Sequence, residues 1–95
     1  MLTALIKLLV LNMHLPQGYT VTTDITQMDV ELIHLYLSAS SYWAQGIPLS
    51  TVQKSMQHSL CFAVVYETST VAFARIVSDY ATFAYLCDVF VLPAH

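Results

Sequence analysis

Three apolar runs fill the second half of this chain, and the polar links between them hold only three or four residues. The runs cover residues 60–67, 71–78 and 83–92, all rich in β-branched and aromatic side chains, which favour strands. The links are Thr68-Ser-Thr70 and Asp79-Tyr-Ala-Thr82. A parallel crossover consumes about a dozen residues or more, so links this short leave only an antiparallel meander.

The first half supplies the elements that pack on that sheet. Gly18 opens a β-branched run over 19–23 that suits another strand. Thr26 begins a Thr-x-x-Asp pattern with Asp29, and Val30, Ile33 and Leu37 follow at helical spacing, widened by Leu32 and Tyr36. The spacing predicts a helix over 27–39. Residues 40–48 contain Gly46 and Pro48 and read as a connecting loop. Ser50-Thr-Val-Gln53 is a second capping pattern, opening a short helix with Val52 and Met56 inward and an end near His58 or Ser59. The expected class is α/β (α+β), in the order β-α-α-β-β-β, with residues 17–95 as one domain. Residues 1–16 are set apart as an apolar extension. Its first 13 residues are too few to cross a bilayer as a helix and lack a small-residue cleavage pattern, so an added helix or extension is the plainer reading.

Charge narrows the function classes. The net charge is −3 and Lys7, Lys54 and Arg75 are the only permanent cations, which argues against nucleic-acid binding. Apolar residues make up 57% of the chain and charged ones 9%. Average soluble domains carry about 25% charged residues. The deficit runs along the strand-like segments and points to apolar faces that expect a partner. Cys61 and Cys87 have neither metal-ligand spacing nor a disulfide framework, which suits a reducing, cytoplasmic setting. No metal site is expected.

The order of elements, together with Ser41-Tyr-Trp-Ala-Gln-Gly46, Ser59-Leu-Cys-Phe62, Val71-Ala-Phe-Ala-Arg-Ile-Val77 and Asp79-Tyr-Ala-Thr-Phe-Ala-Tyr-Leu-Cys-Asp-Val-Phe-Val-Leu-Pro93, resembles the N-terminal half of the GNAT superfamily of N-acetyltransferases. The resemblance spans about residues 17–95. It implies acetyl-CoA as the acetyl donor and a small-molecule or peptide amine as acceptor. It also implies a cofactor-binding role for the backbone at Phe90 and Val91, whose amides would hold the pantetheine arm and polarise the acetyl carbonyl. In the family an Arg/Gln-x-x-Gly-x-Gly/Ala loop grips the cofactor pyrophosphate on a helix N-terminus. That loop would begin just after His95, so the expectation is a truncated and inactive front half. Such a chain should self-associate through the exposed last strand. Two rival readings are a non-enzymatic α+β interaction module and a non-functional truncated reading frame.

Asp88, the only charge in the last strand, is the catalytic candidate, able to orient or deprotonate an amine. If Ser78 pairs with Phe83, Arg75 stands opposite Leu86 and diagonal to Asp88, and an ion pair is the simpler role. Tyr42 and Trp43 follow the first helix where the family lines its acceptor pocket, although core packing is the plainer reading. Tyr80 joins them as a pocket candidate, while Asp79 and Tyr80 also suit a hairpin turn. His34 and His58 lack metal partners at helical spacing and read as solvent-facing or capping. The same registers put Cys61 opposite Ile76 and Cys87 opposite Ala74, two strands apart. That is about 9–10 Å, beyond the roughly 7 Å a disulfide allows.

Overall fold

A computed structural model describes residues 15–95. Of the expected apolar extension over residues 1–16, residues 1–14 lie outside the described residues. Four strands, β1 (Tyr19–Thr22), β2 (Leu60–Tyr66), β3 (Ser69–Ser78) and β4 (Ala84–Val91), form one antiparallel sheet in the order β1-β2-β3-β4. The meander is as the short links require. Between β1 and β2 run a 3-10 turn (Ile25–Gln27) and helix α1 (Val30–Leu35). A π-type turn (Tyr36–Ser40), a loop and helix α2 (Leu49–Gln57) complete the connection.

The helix starts differ from expectation for reasons of local hydrogen bonding. Thr26 does not cap α1. Asp24 takes both the amide and the hydroxyl of Thr26 and so closes the 3-10 turn first. Asp29 then caps α1 by accepting from the Leu32 amide at 3.1 Å, and its own amide donates to Thr70 Oγ1 on β3. The expected 27–39 helix therefore begins at Val30 and widens at Tyr36, where the Ser41 amide reaches back five residues to the Tyr36 carbonyl. The second capping pattern also fails. Pro48 occupies the cap position of α2 with no side-chain bond, so Ser50 is already inside the helix.

Both helices pack on one sheet face. Met28, Ile33, Leu37, Val52 and Met56 bury against Cys61, Ala63, Phe73 and Phe90. Tyr36, placed by the wide turn, stacks on Phe90 with ring centroids 4.0 Å apart. On the opposite face Phe62, Val64, Ala72, Ala74 and Ile76 are only half-buried.

The two expected registers are each one residue off at Arg75, through a turn and a bulge between β2 and β3 and through the turn alone between β3 and β4. Glu67 and Thr68 make a two-residue turn, with Glu67 at φ 56°, so β3 starts at Ser69, opposite Tyr66. The register then shifts by one between Val64 and Val65, where Val71 is left over, and Cys61 pairs with Arg75, not Ile76. Gly18 lies beside this turn at φ 90°, and a Cβ there would come within 2.9 Å of the Tyr66 ring. In the next hairpin the Asp79 carboxylate accepts from the amides of Ala81, Thr82 and Phe83. That holds Phe83 inside the turn, so Ser78 pairs with Ala84, and Arg75 faces Cys87 rather than Leu86. Cys61 and Cys87 thus flank Arg75 from either side, two strands apart, as free thiols.

Candidate functional site

Strand β4 does not keep its shifted register. Arg75 pairs with Cys87 but Phe73 pairs with Phe90, so Ala74 stands against two residues, Asp88 and Val89. This is a β-bulge, with Asp88 in the left-handed region at φ 52°. In a regular strand Asp88 would point away from the face that carries Cys87 and Arg75. The bulge re-aims it. Asp88 Oδ2 accepts from Arg75 Nε at 2.7 Å, and the pair is largely enclosed, with side-chain exposures of 18% for Arg75 and 12% for Asp88. The ion pair expected from a diagonal contact is therefore present, although the geometry that makes it is a bulge.

The pair sits in a chain of four side chains. Arg75 Nη1 donates to Ser59 Oγ at 2.9 Å, and Trp43 Nε1 donates to Asp88 Oδ1 at 2.8 Å. Both Asp88 oxygens are thus occupied. Sequence reasoning missed Ser59 and the link to Trp43. The Trp43 link joins residues 45 apart, with no periodicity to reveal it.

The loop that carries Trp43 is held at several points. Buried Ser41 donates to the Leu37 carbonyl and accepts from the Ala44 amide. The Gly46 amide, at φ 75°, bonds the Ser38 carbonyl, and the His34 ring Nε2 bonds the Ile47 carbonyl at 2.9 Å. His34 is therefore a loop tether, not a solvent-facing residue. Tyr42 is 87% exposed, which corrects the expectation of core packing for it. Its ring meets Trp43 edge to face, with centroids 5.1 Å apart and planes at 85°. Trp43 is 42% exposed and also lies outside the core.

Tyr80 stands apart from this group. It occupies the β3–β4 turn at φ 63°, more than half exposed, and its amide donates to Ser78 Oγ. Among the described residues no ring stacking or hydrogen bond joins it to Tyr42, Trp43 or Asp88. Asp79 serves the turn as expected. Its hydrogen bonds from Thr82 and from the amides of Ala81, Thr82 and Phe83 hold its carboxyl well below the ordinary range.

At the end of β4 the Leu92 amide bonds the Val71 carbonyl at 2.8 Å. Backbone groups alternate sides along an antiparallel strand, so Phe90 bonds inward to β3 while Val91 turns its amide and carbonyl to the outer edge. The Phe90 side chain is buried against Tyr36 and Phe73, and that of Val91 is exposed.

Burial pushes the Cys61 thiol up to about 11, against a smaller downward pull from Arg75, and raises Cys87 as well. Neither is an activated nucleophile. Among the described residues no three His, Cys, Asp or Glu side chains cluster as metal ligands, and no helix is long and apolar enough to cross a membrane.

No protein-family model matches the chain. A curated protein of Gibberella zeae, named a "putative acetyltransferase", is 28% identical over 109 aligned positions, covering 90% of this chain and 62% of that protein. A crystal structure from Xanthomonas campestris pv. campestris, described as a "putative acetyltransferase belonging to the gnat family", is 52% identical with a TM-score of 0.82. That match covers 86% of this chain and 57% of the other. The GNAT resemblance carried by the sequence motifs is borne out in both sequence and fold. The chain spans about three-fifths of the length of each relative it matches.

Proposed function

We propose, from a chain whose sequence and fold match a GNAT-family structure, that residues 17–95 form part of an N-acetyltransferase domain moving acetyl from acetyl-CoA to an amine. The observation that carries this reading is the outer edge of β4. There Val91, just past the bulge, offers a backbone donor and acceptor on a strand whose other side is fixed to β3. Such an edge suits the amide-bearing pantetheine arm, which can pair with it as a strand would. Acetyl-CoA supplies the thioester carbonyl that an amine attacks. The Val91 amide is a fixed donor for that carbonyl oxygen, where negative charge develops. Buried Phe90 anchors the strand through its stack on Tyr36, so the donor is held before the ligand arrives.

Tyr42 and Trp43 line the acceptor side. Asp88 acts there by holding Trp43 and neutralising Arg75, since both its oxygens are already engaged. Tyr80 has no part in this arrangement. The free thiols Cys61 and Cys87 agree with a reducing, cytoplasmic setting. The same outer edge is open to a second strand, and self-association through residues 83–92 follows from it.

The test is an amide-resolved NMR titration of the chain with acetyl-CoA. The Val89 and Val91 amides should shift together and saturably, while the inward-bonded Phe90 amide moves less. Coenzyme A without the acetyl group should move Val91 less than acetyl-CoA does. Unchanged Val89 and Val91 amides at millimolar acetyl-CoA would overturn the reading.

A further inference from the structure

Large aromatic side chains on a pinned loop usually complete a core, yet Tyr42 and Trp43 do not. Tyr42 is among the most exposed large apolar residues described, and Trp43 keeps much of its ring in solvent. Their rings nonetheless hold a defined right-angled geometry, and Trp43 is fixed at its nitrogen by Asp88. Order without burial is unfavourable for hydrophobic packing, but it suits a wall that waits for a ligand.

The electrostatics say which ligand. The faces of aromatic rings carry negative potential and attract cations within about 6 Å. The indole N–H donates to a carboxylate, and polarisation along that bond enriches the indole face further. Arg75, which shares Asp88 with Trp43, is already paired with that carboxylate. Residues 40–48 and β4 carry no Lys or Arg to repel a positive guest.

We propose that Tyr42 and Trp43 form a corner that binds the head of an alkylammonium group, with Asp88 as the positioning residue that holds the indole. The inference rests on the acetyl-transfer reading and names the acceptor class: an amine bearing a second, permanently cationic nitrogen. That nitrogen sits in the corner while the neutral amine of the same molecule is left free to attack.

Trp43 is the only tryptophan in the chain, so its fluorescence reports the corner directly. The experiment titrates the full chain with choline and, separately, with dimethylbutanol, the uncharged carbon isostere of choline. Choline should change Trp43 emission saturably in the millimolar range. The neutral isostere should bind roughly two- to five-fold more weakly, the range of an exposed cation–π contact. Tyr42→Ala should weaken choline by a similar factor and Tyr42→Phe should not. An exposed residue of this kind can be replaced without unfolding the chain. Asp88→Ala should weaken binding, and Asp88→Asn, which keeps an acceptor for the indole but leaves Arg75 unneutralised, should restore only part of it. Absent saturation with choline, equal binding of the neutral isostere, or an unaltered choline response in Tyr42→Ala each overturns the corner. The Val91 amide response to acetyl-CoA is read in the same samples. If it persists while choline fails, only the corner falls; if it is lost while choline binds, the acetyl-CoA reading and the acceptor assignment fall and the corner stands as a cation site alone.

Discussion

Strands β2 and β4 look alike as text and behave oppositely in the fold. β2 reads Leu-Cys-Phe-Ala-Val-Val-Tyr and β4 reads Ala-Tyr-Leu-Cys-Asp-Val-Phe-Val, so both are apolar almost throughout. Yet Cys61 and Ala63 are buried in β2 and its other residues half-buried, while Phe90 is the only buried residue of β4. The cause is position. β2 lies between β1 and β3 with helices on one face, whereas β4 is the sheet edge among the described residues. Apolar content thus says that a strand is suited to burial, and its neighbours decide whether burial happens. The one charged residue in either strand sits in the exposed one, at the bulge, and is turned inward to a partner.

The comparison can be broken most directly by truncating one residue from each environment. Phe73 is 3% exposed and packs on Phe90, so Phe73→Ala should cost about 3–5 kcal/mol in urea unfolding. Leu86 on β4 is 59% exposed, and Leu86→Ala should change stability by no more than about 0.5 kcal/mol. Leu86→Lys should instead lower self-association in sedimentation at high concentration. Similar unfolding costs for Phe73→Ala and Leu86→Ala would show that β4 is covered and erase the contrast.

A smaller effect belongs to the bulge. Arg75→Met leaves Asp88 largely enclosed without its cation, and Asp88→Ala leaves Arg75 likewise. Each should cost roughly 2–3 kcal/mol, below the loss for a fully buried pair because some solvent reaches both groups. The double variant should cost less than the sum of the two, since removing both charges strands neither. Strict additivity in that cycle would mean that the pair does not hold β4 to β3.

The smallest expected effect lies in the turn that sets the β3–β4 register. The carboxyl of Asp79 is held below its unfolded value by four hydrogen bonds, the one from the Thr82 hydroxyl being the strongest influence. A depressed folded pKa stabilises at pH values above the unfolded one, near 4, and the contribution is lost as pH falls through the folded value. The urea midpoint of Asp79→Asn should therefore trail the native chain at neutral pH, and the gap should shrink in strong acid. A gap that stays constant with pH would show that the turn does not depend on the ionised carboxylate.

Much of this fold was legible without coordinates. The meander followed from link lengths, and α2's buried residues Val52 and Met56 from their spacing, because neighbouring residues carry that information. Free thiols at Cys61 and Cys87 and the Arg75–Asp88 pair were also anticipated, although the registers used to anticipate them were each one residue off. The β2–β3 error comes from a two-residue turn followed by a bulge, and the β3–β4 error from turn chemistry. A turn's length depends on which amides its polar side chain collects, and Asp79 takes Phe83 into the turn where alternation alone would leave it in the strand.

Other features came only from the tertiary structure. The bulge at Asp88 corrects a register set several residues away, and its benefit appears only once Arg75 is in place to receive the carboxylate. Trp43 meets Asp88 because the wide turn at Tyr36–Ser40 and the ties at Ser41, Gly46 and Ile47 carry the loop to β4. The exposure of Tyr42 has the same origin, as nothing in its own neighbourhood distinguishes it from a core aromatic. Periodicity and turn chemistry act between near neighbours and so can be read along the chain. Contacts between distant side chains depend on every intervening bond and turn together, and only the folded chain adds them up.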